Sequence, residues 1–309
     1  MPTRSSRSIA WLSILLTVAA ACVRAATSSP IGDDPRRVAD ELLAADRAFS
    51  HAAARAEPGA GIGAMLAPDV TMPTPRGELA RGSREVVDAL RAALGPTALR
   101  AEWSPIRAGV SADRRHGFTF GYMTVYRRDT VSTGAKYLAY WVKQPAGWRV
   151  VAYKVARRPA GDVSTAMMGP SLPSRLVGPT SDSGAIARYT ASLIAAERAF
   201  SDRAQQIGLG PAFVENGHAD AINLGGRDDA SFVVGTEAIG RLVAGGGPPG
   251  PSPVSWSADR AIVASSGDLG VTFGFIRPNA GRPEGAGATP FFTIWRRADV
   301  NDRWRYIAE

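Results

Sequence analysis

An internal repeat is the feature of this sequence that most constrains its fold. The run Ala-Asp-Arg-Ala-Phe-Ser at positions 45–50 returns as Ala-Glu-Arg-Ala-Phe-Ser at positions 196–201. Later landmarks return in the same order, with Trp256 matching Trp103 and Trp304 matching Trp148. A chain of 309 residues has room for two modest domains, each with its own core. The sequence therefore predicts a tandem duplication of one domain.

Each copy is predicted to open with an amphipathic helix. In the first copy Asp33 and Asp34 precede Pro35, and acids followed by a proline in the first turn favour a helix start. Apolar residues then recur at helical spacing, and the second copy repeats the pattern. The two stripes are Val38, Leu42, Ala45 and Phe49, and Tyr189, Leu193, Ala196 and Phe200.

The remainder of each copy is predicted to contain two more helices followed by a meander of strands. Alternating and aromatic-rich runs separated by turn residues are typical of antiparallel hairpins. Helices first and strands afterwards indicate an α+β fold, with the helices packed on one face of a curved antiparallel sheet. In the first copy we expect helices near 64–66 and over 84–94, and strands over 69–72, 107–111, 116–127, 136–143 and 148–154.

The composition sets the domain boundaries. Residues 157–184 are rich in Pro, Gly and Ser and lack periodicity, which indicates a linker. We therefore predict a first domain at 35–156 and a second at 185–309.

The N-terminus is predicted to be an export signal over residues 1–26. Arg4 and Arg7 precede an apolar run at 9–21 that is too short to span a bilayer comfortably. Cleavage after Ala25 would release a secreted or periplasmic protein. Cleavage after Ala21 would instead leave Cys22, the only cysteine, as a site for a lipid anchor.

The charge and motif content argue against several functional classes. The net charge is +8 and the pI about 10.1, but the arginines are scattered and no basic run is interleaved with aromatic residues, so we expect no nucleic-acid partner. The sequence has neither a phosphate-binding Gly-rich loop nor a Gly-x-Ser-x-Gly elbow. His51, His116 and His218 lack partners at metal-ligand spacing, so we expect no metal and no cofactor.

In order and spacing these landmarks resemble the DUF4440 group of the NTF2-like superfamily, which also contains SnoaL-like cyclases and ketosteroid isomerases. The resemblance implies three helices wrapped by a bent antiparallel sheet into a cone with a pocket at its open end. It also implies pairing through the sheet, so we expect the two repeats to form an intramolecular pseudo-dimer. The matching motifs are Asp46-Arg47-Ala48-Phe49, Glu197-Arg198-Ala199-Phe200, Gly82, Gly235, the run 266–274, Trp295-Arg296-Arg297 and Trp304-Arg305.

Asp46 and Glu197 are the candidate site residues, because each lies on the flank of a buried helical stripe. A carboxylate there must find donors or have its pKa raised. It is either an acid or base in a pocket, or a structural acceptor. Tyr122 and Tyr140 are possible donors facing Asp46, as in the isomerases. Together with Trp103, Trp256 and Phe275 these tyrosines are the candidate pocket-lining residues.

Two functions follow as expectations. The first is an exported protein that binds a small hydrophobic molecule or serves as an association module, without catalysis. The alternative is an isomerase-like enzyme in which Asp46 is the base and Tyr122 or Tyr140 the donor.

Overall fold

Helix α1 begins at Pro35 because the side chain of Asp34 caps it, accepting a hydrogen bond of 2.8 Å from the backbone nitrogen of Arg36. The computed structural model describes Met1 and residues 34–95, 98–127, 130–226, 228–247, 250–279 and 287–309. The predicted export signal, Asp33 and both cleavage sites lie outside these residues. Within the described part, no helix is long and apolar enough to cross a membrane.

The described chain has two halves, residues 35–158 and residues 183–309, with the same order of elements. The first contains α1 (Pro35–Ala53), α2 (Pro58–Gly63), β1 (Leu66–Pro73), β2 (Leu79–Arg81), α3 (Ser83–Leu94), β3 (Arg100–Val110), β4 (His116–Arg127), β5 (Thr130–Gln144) and β6 (Gly147–Arg158). The second contains α4 (Ser183–Ile207), α5 (Leu209–Asn216), β7 (Gly217–Asn223), β8 (Val233–Val234), α6 (Thr236–Ala244), β9 (Val254–Val263), β10 (Leu269–Pro278), β11 (Thr289–Arg296) and β12 (Arg305–Ala308).

Each half has one six-stranded sheet, and the strand orders correspond: β2-β1-β6-β5-β4-β3 and β8-β7-β12-β11-β10-β9. The α+β prediction is confirmed. The prediction of purely antiparallel sheets is wrong, because β1 pairs parallel to β6 and β7 pairs parallel to β12. This pairing joins strands that lie far apart in the sequence, and a local turn pattern carries no signal for it.

One predicted helix lies elsewhere. Residues 64–66 were expected to be helical, whereas the short helix is α2 at Pro58–Gly63 and residue 66 already begins β1. Glu57 caps α2 by accepting hydrogen bonds from the backbone nitrogens of Gly59 and Ala60, both 2.9 Å long. Proline in the first turn and an acidic cap outweigh the weak helix propensity of the glycines.

Gly121 on β4 and Gly274 on β10 occupy equivalent positions in the two halves, and both positions require glycine. A Cβ on Gly121 would overlap the carbonyl of Ser104, and a Cβ on Gly274 would overlap that of Ser257. The neighbouring strand therefore approaches the backbone too closely for any side chain.

The two sheets bury a shared apolar cluster, and both halves belong to the compact unit Asp33–Glu309. Two arginines at equivalent positions make hydrogen bonds from each half to the other. The Arg107 guanidinium donates to the backbone oxygen of Asp220 on β7 at 2.8 Å, and the Arg260 guanidinium donates to Thr71 Oγ1 on β1 at 2.7 Å. The largest side chains of the cluster are Phe118, Phe120, Tyr122, Tyr140, Phe232, Phe273 and Phe292.

The linker between the halves follows the free edge of β3. The backbone nitrogen of Met168 donates to the oxygen of Ile106 at 2.7 Å, and that of Ser171 donates to Ala108 at 2.9 Å. Because these bonds satisfy backbone groups that an edge strand leaves open, the segment covers one edge of the first sheet.

Candidate functional site

Asp46 lies fully buried in the first half, on the face of α1 that packs against the sheet. Its Oδ1 accepts a hydrogen bond from Trp103 Nε1 at 2.6 Å, and its Oδ2 accepts one from Tyr137 Oη at 2.8 Å. Burial raises the pKa of Asp46, while the hydrogen bonds from Trp103, Thr119 and Tyr137 oppose that rise. Both carboxylate oxygens are thus held by protein donors.

Glu197 lies at the equivalent position of α4 and has a similar shell of donors. Its Oε1 accepts from Trp256 Nε1 at 2.8 Å, and its Oε2 accepts from Thr272 Oγ1 at 2.5 Å and Trp295 Nε1 at 3.0 Å. Burial raises the pKa of Glu197 to about 7, against the opposing effect of these hydrogen bonds. Near neutral pH, Glu197 can therefore either hold or release a proton.

A serine one helical turn beyond each acid fixes the tryptophan that contacts it. Ser50 Oγ accepts from the backbone nitrogen of Trp103 at 2.8 Å, and Ser201 Oγ accepts from that of Trp256 at 2.9 Å. The repeated Ala-Phe-Ser sequence therefore has a structural purpose, because the phenylalanine packs on the core and the serine anchors the strand that carries the tryptophan.

The two halves differ in what surrounds these acids. In the first, the rings of Tyr137 and Tyr153 are fully buried and stack with centroids 6.2 Å apart. The matching positions of the second half, after Trp295 is aligned with Trp141 and Trp304 with Trp148, hold Phe291 and Glu309. Phe291, which lacks the tyrosine hydroxyl, and the carboxyl group of Glu309 thus replace two tyrosines.

A cavity of about 240 Å³ lies in the second half next to Glu197. Its walls are mainly aromatic and aliphatic, and its charged lining side chains are Glu197, Glu309 and Lys154. The volume falls below the range typical of drug-sized ligands, so it suits a molecule with one or two rings. The other lining residues are Phe200, Leu209, Phe213, Asn223, Val243, Val254, Trp256, Ile276, Phe291, Phe292 and Thr293.

Glu309 provides the second carboxyl group of the cavity. Its Oε1 accepts a hydrogen bond from Asn223 Nδ2 at 2.6 Å. Burial raises the pKa of Glu309 to about 7, and the charge of Glu197 adds to that rise while Lys154 and Asn223 oppose it. Lys154 comes from β6 of the first half, and its pKa is lowered by burial and raised in part by Glu309. The first half therefore contributes a cation to the cavity of the second.

The structure separates the predicted site residues into two groups. Asp46 meets Trp103, and Glu197 meets Trp256, which also lines the cavity. In both halves the tryptophan lies on the strand that follows the third helix, β3 or β9, and its indole N–H points towards the acid on the first helix.

Tyr122, Tyr140 and Phe275 lie elsewhere. Tyr122 and Tyr140 belong to the cluster between the two sheets, and Tyr140 Oη lies 3.1 Å from His116 Nδ1. Phe275 is half-buried, two residues from Phe273 on the intersheet face of β10. The expectation that Tyr122 and Tyr140 face Asp46 is therefore wrong. Alternation along a strand sends these rings to the opposite face from Tyr137, which does contact the acid.

Lys154, Asn223 and Glu309 were not foreseen from the sequence. One signal was available for Glu309. When Trp304-Arg305 is aligned with Trp148-Arg149, Glu309 falls opposite Tyr153, so a carboxyl group replaces a tyrosine ring. Lys154 offered none, because it reaches the cavity only through packing of one sheet on the other. In the part of the chain that the structure describes, no group of three or more His, Cys, Asp or Glu is placed to hold a metal ion.

Comparisons with protein-family models and with curated proteins find no match to this chain. Among solved structures, an NTF2-like protein with a cystatin-like fold from Novosphingobium aromaticivorans is 17% identical and aligns over 39% of this chain and 80% of its own, with a TM-score of 0.28. A protein of unknown function with a cystatin-like fold from Nostoc punctiforme is 19% identical over 39% and 92%, with a TM-score of 0.31. An NTF2-like protein of unknown function from Shewanella oneidensis is 11% identical over 38% and 96%, with a TM-score of 0.30. Each match spans about two fifths of this chain.

Proposed function

We propose that the second half of this chain binds a small, largely apolar molecule in the cavity beside Glu197. The observation that carries the proposal is the contrast between the halves. The first half keeps the buried acid and its tryptophan but fills the adjoining space with Tyr137 and Tyr153, whereas the second half leaves about 240 Å³ open. A hydrophobic enclosure with a few convergent polar groups is the usual form of a small-molecule site.

Titration with small aromatic molecules tests this proposal, followed through the fluorescence of Trp256 and the other tryptophans. Val243→Phe introduces a ring into the lining of the cavity and is expected to weaken binding at least about tenfold. Val234→Phe is the matched control, because Val234 lies 47% exposed on β8 and should leave binding unchanged. Equal binding by both variants and the unaltered protein would count against a site in this cavity.

Proton-transfer catalysis on the bound molecule is the second candidate function. It is favoured by the two carboxyl groups, Glu197 and Glu309, whose pKa values of about 7 suit a general acid or base at neutral pH. In this version Glu197 takes the part that the sequence first suggested for Asp46, since Asp46 is enclosed by Trp103 and Tyr137. Glu197→Gln should then abolish exchange of an acidic C–H proton of the ligand with D₂O, measured by NMR at a ligand concentration that saturates the variant. Exchange that persists in the variant would rule out Glu197 as the base.

We further propose that the chain is a tandem NTF2-like protein of the DUF4440 or SnoaL-like type, with its two repeats paired as a dimer within one molecule. The corresponding strand orders and the reciprocal bonds of Arg107 and Arg260 support this proposal. Light scattering coupled to size exclusion should report the mass of one chain. A stable oligomer built by exchange of halves between chains would contradict the intramolecular pairing.

Export is a separate proposal that rests on the N-terminal 26 residues alone. Fractionation of the producing cell, followed by intact-mass measurement, should find a product that begins after Ala25, or a lipid-modified product that begins at Cys22. A full-length cytoplasmic product would contradict it.

A further inference from the structure

We propose that the ligand of the second-half cavity carries a cationic nitrogen, which Glu197 and Glu309 receive together. This inference rests on the proposed function, because it presupposes that the cavity binds a small molecule. It goes further by naming the chemical class of that molecule.

The two carboxyl groups of the cavity leave acceptor positions unused. An ionised carboxylate offers about four lone-pair positions, and Glu197 uses three of them for Trp256, Thr272 and Trp295. Glu309 accepts one hydrogen bond, from Asn223. Within the described residues, at least one position on Glu197 and those on Glu309 Oε2 thus stay available to a ligand donor.

Several hydrogen-bond donors around the cavity are already bonded to protein acceptors. Asn223 gives Nδ2 to Glu309, while its Oδ1 accepts from the backbone nitrogen of Gly225 at 2.6 Å. The indole N–H groups of Trp256 and Trp295 point at Glu197. Thr293 and Lys154 are the lining residues that keep a donor. The charge of Lys154 already interacts with Glu309, so the open acceptor positions of Glu197 and Glu309 are the capacity that a ligand donor can satisfy.

The aromatic walls favour the same charge. Phe200 packs with its ring centroid 4.8 Å from that of Phe213 and 4.9 Å from that of Trp256, and Phe291 completes the wall. The faces of such rings attract cations, most strongly when the cation is removed from water. A charged carboxylate enclosed by rings also gains from a cation that neutralises it.

Lys154 does not cancel this preference. Lys154 is the one cationic side chain among the described lining residues, and its charge interacts with Glu309. The lining also contains two carboxyl groups, those of Glu197 and Glu309. With all three groups ionised the lining is net negative. A carboxylate or phosphate ligand would therefore be repelled by Glu197.

A series of ligands that share one ring and differ in the head group tests the proposal. We suggest 2-phenylethylammonium, 2-phenylethanol and phenylacetate, titrated into the full chain by calorimetry at pH 8, where both carboxyl groups are largely ionised. The ammonium is expected to bind at least about tenfold more tightly than the alcohol, and phenylacetate more weakly than both.

Two variants connect the preference to the cavity. Glu309→Gln keeps the shape of the side chain but removes its charge, so it should reduce the advantage of the ammonium over the alcohol about tenfold. Glu78→Gln makes the same chemical change at an exposed position of the first half and should leave that advantage intact.

The outcomes distinguish the proposal of a cationic ligand from the proposal that the cavity binds a small molecule. If the alcohol binds as tightly as the ammonium, or phenylacetate binds most tightly, the cationic ligand is wrong while small-molecule binding stands. If none of the three binds, both proposals fail. If the ammonium binds best but Glu309→Gln and Glu78→Gln behave alike, the nitrogen is not received by this pair of carboxyl groups, and the inference is overturned.

Discussion

At the scale of single residues, Asp46 and Glu197 show how one helical position can serve two purposes. Both acids are buried, and each accepts an indole N–H from the tryptophan of the following sheet. Asp46 is closed off by Tyr137, whereas Glu197 borders a cavity that Glu309 also lines. Both carboxylates accept from similar sets of protein donors, so the difference lies in what adjoins them: Glu197 lines the cavity, whereas buried tyrosines surround Asp46.

The pKa of Glu197 makes the stability of the protein depend on pH. Its folded value of about 7 lies above the ordinary value of 4.5, so the folded state holds a proton that the unfolded state releases. Stability from this group is present below pH 4.5 and is lost as pH rises to 7 and beyond, by about 3 kcal/mol for a shift of this size. The charged neighbours that face it across the cavity are Glu309 and Lys154, with Tyr306 close to Glu309.

Urea unfolding of the protein and of Glu197→Gln at pH 4.5, 6 and 8 measures this contribution, because the other titrating groups are common to both. The free energy of unfolding of the unaltered protein minus that of the variant should fall by about 3 kcal/mol between pH 4.5 and 8. Glu78→Gln serves as the control, since this side chain is exposed in the first half and does not line the cavity. Parallel pH curves for Glu197→Gln and the unaltered protein would show that the buried acid has an ordinary pKa.

At the scale of elements, local patterns were sufficient for most of the helices and strands. The amphipathic stripe predicted α1, and the alternating aromatic residues predicted β4 with its observed bounds. Two kinds of information were not local. The parallel pairing of β1 with β6 joins residues far apart in the chain, and the segment predicted to be a linker hydrogen-bonds to the edge of β3.

The close approach of strands at Gly121 and Gly274 leads to a prediction at this scale. Gly121→Ala and Gly274→Ala should each lower the free energy of unfolding by about 1–3 kcal/mol, because a Cβ would overlap a backbone carbonyl of the neighbouring strand. Gly169→Ala is the matched control in the linker, where a Cβ would meet nothing within 4 Å. Chemical unfolding of the three variants measures the difference, and equal stability for all of them would show that the strands can separate at no cost.

At the scale of the whole molecule, the two halves share one buried cluster and exchange polar contacts at the turns that begin β4 and β10. Asp113 accepts from Ser265 Oγ at 2.7 Å, and the backbone nitrogen of Ala112 donates to Asp268 at 3.1 Å. These turns require a positive φ, which Arg114 adopts in one and Gly267 in the other. Because Lys154 also crosses between the halves to the cavity, packing of the halves and ligand binding are expected to be coupled.

Truncation of an intersheet ring tests whether the two halves open together. Phe273→Ala should destabilise the protein by about 3–5 kcal/mol and increase hydrogen exchange in strands of both halves, because Phe273 lies in the shared cluster. Phe213→Ala is the comparison, since Phe213 belongs to the separate core of the second half, and its effect should be largest there. Exchange mapped by mass spectrometry distinguishes them. Faster exchange confined to the second half in both variants would mean that the halves open independently.

The sequence by itself determined the α+β class, the positions of most elements and the burial of Asp46 and Glu197, because helical and strand periodicity is a property of neighbouring residues and the recurring motifs show the same pattern twice. Only the tertiary structure decided which buried acid faces open space. That outcome depends on side-chain volumes at Tyr137, Tyr153, Phe291 and Glu309, and on a lysine delivered by the other half. A cavity is the space left after distant segments have packed, so its presence in the second half emerged only when both sheets were in place.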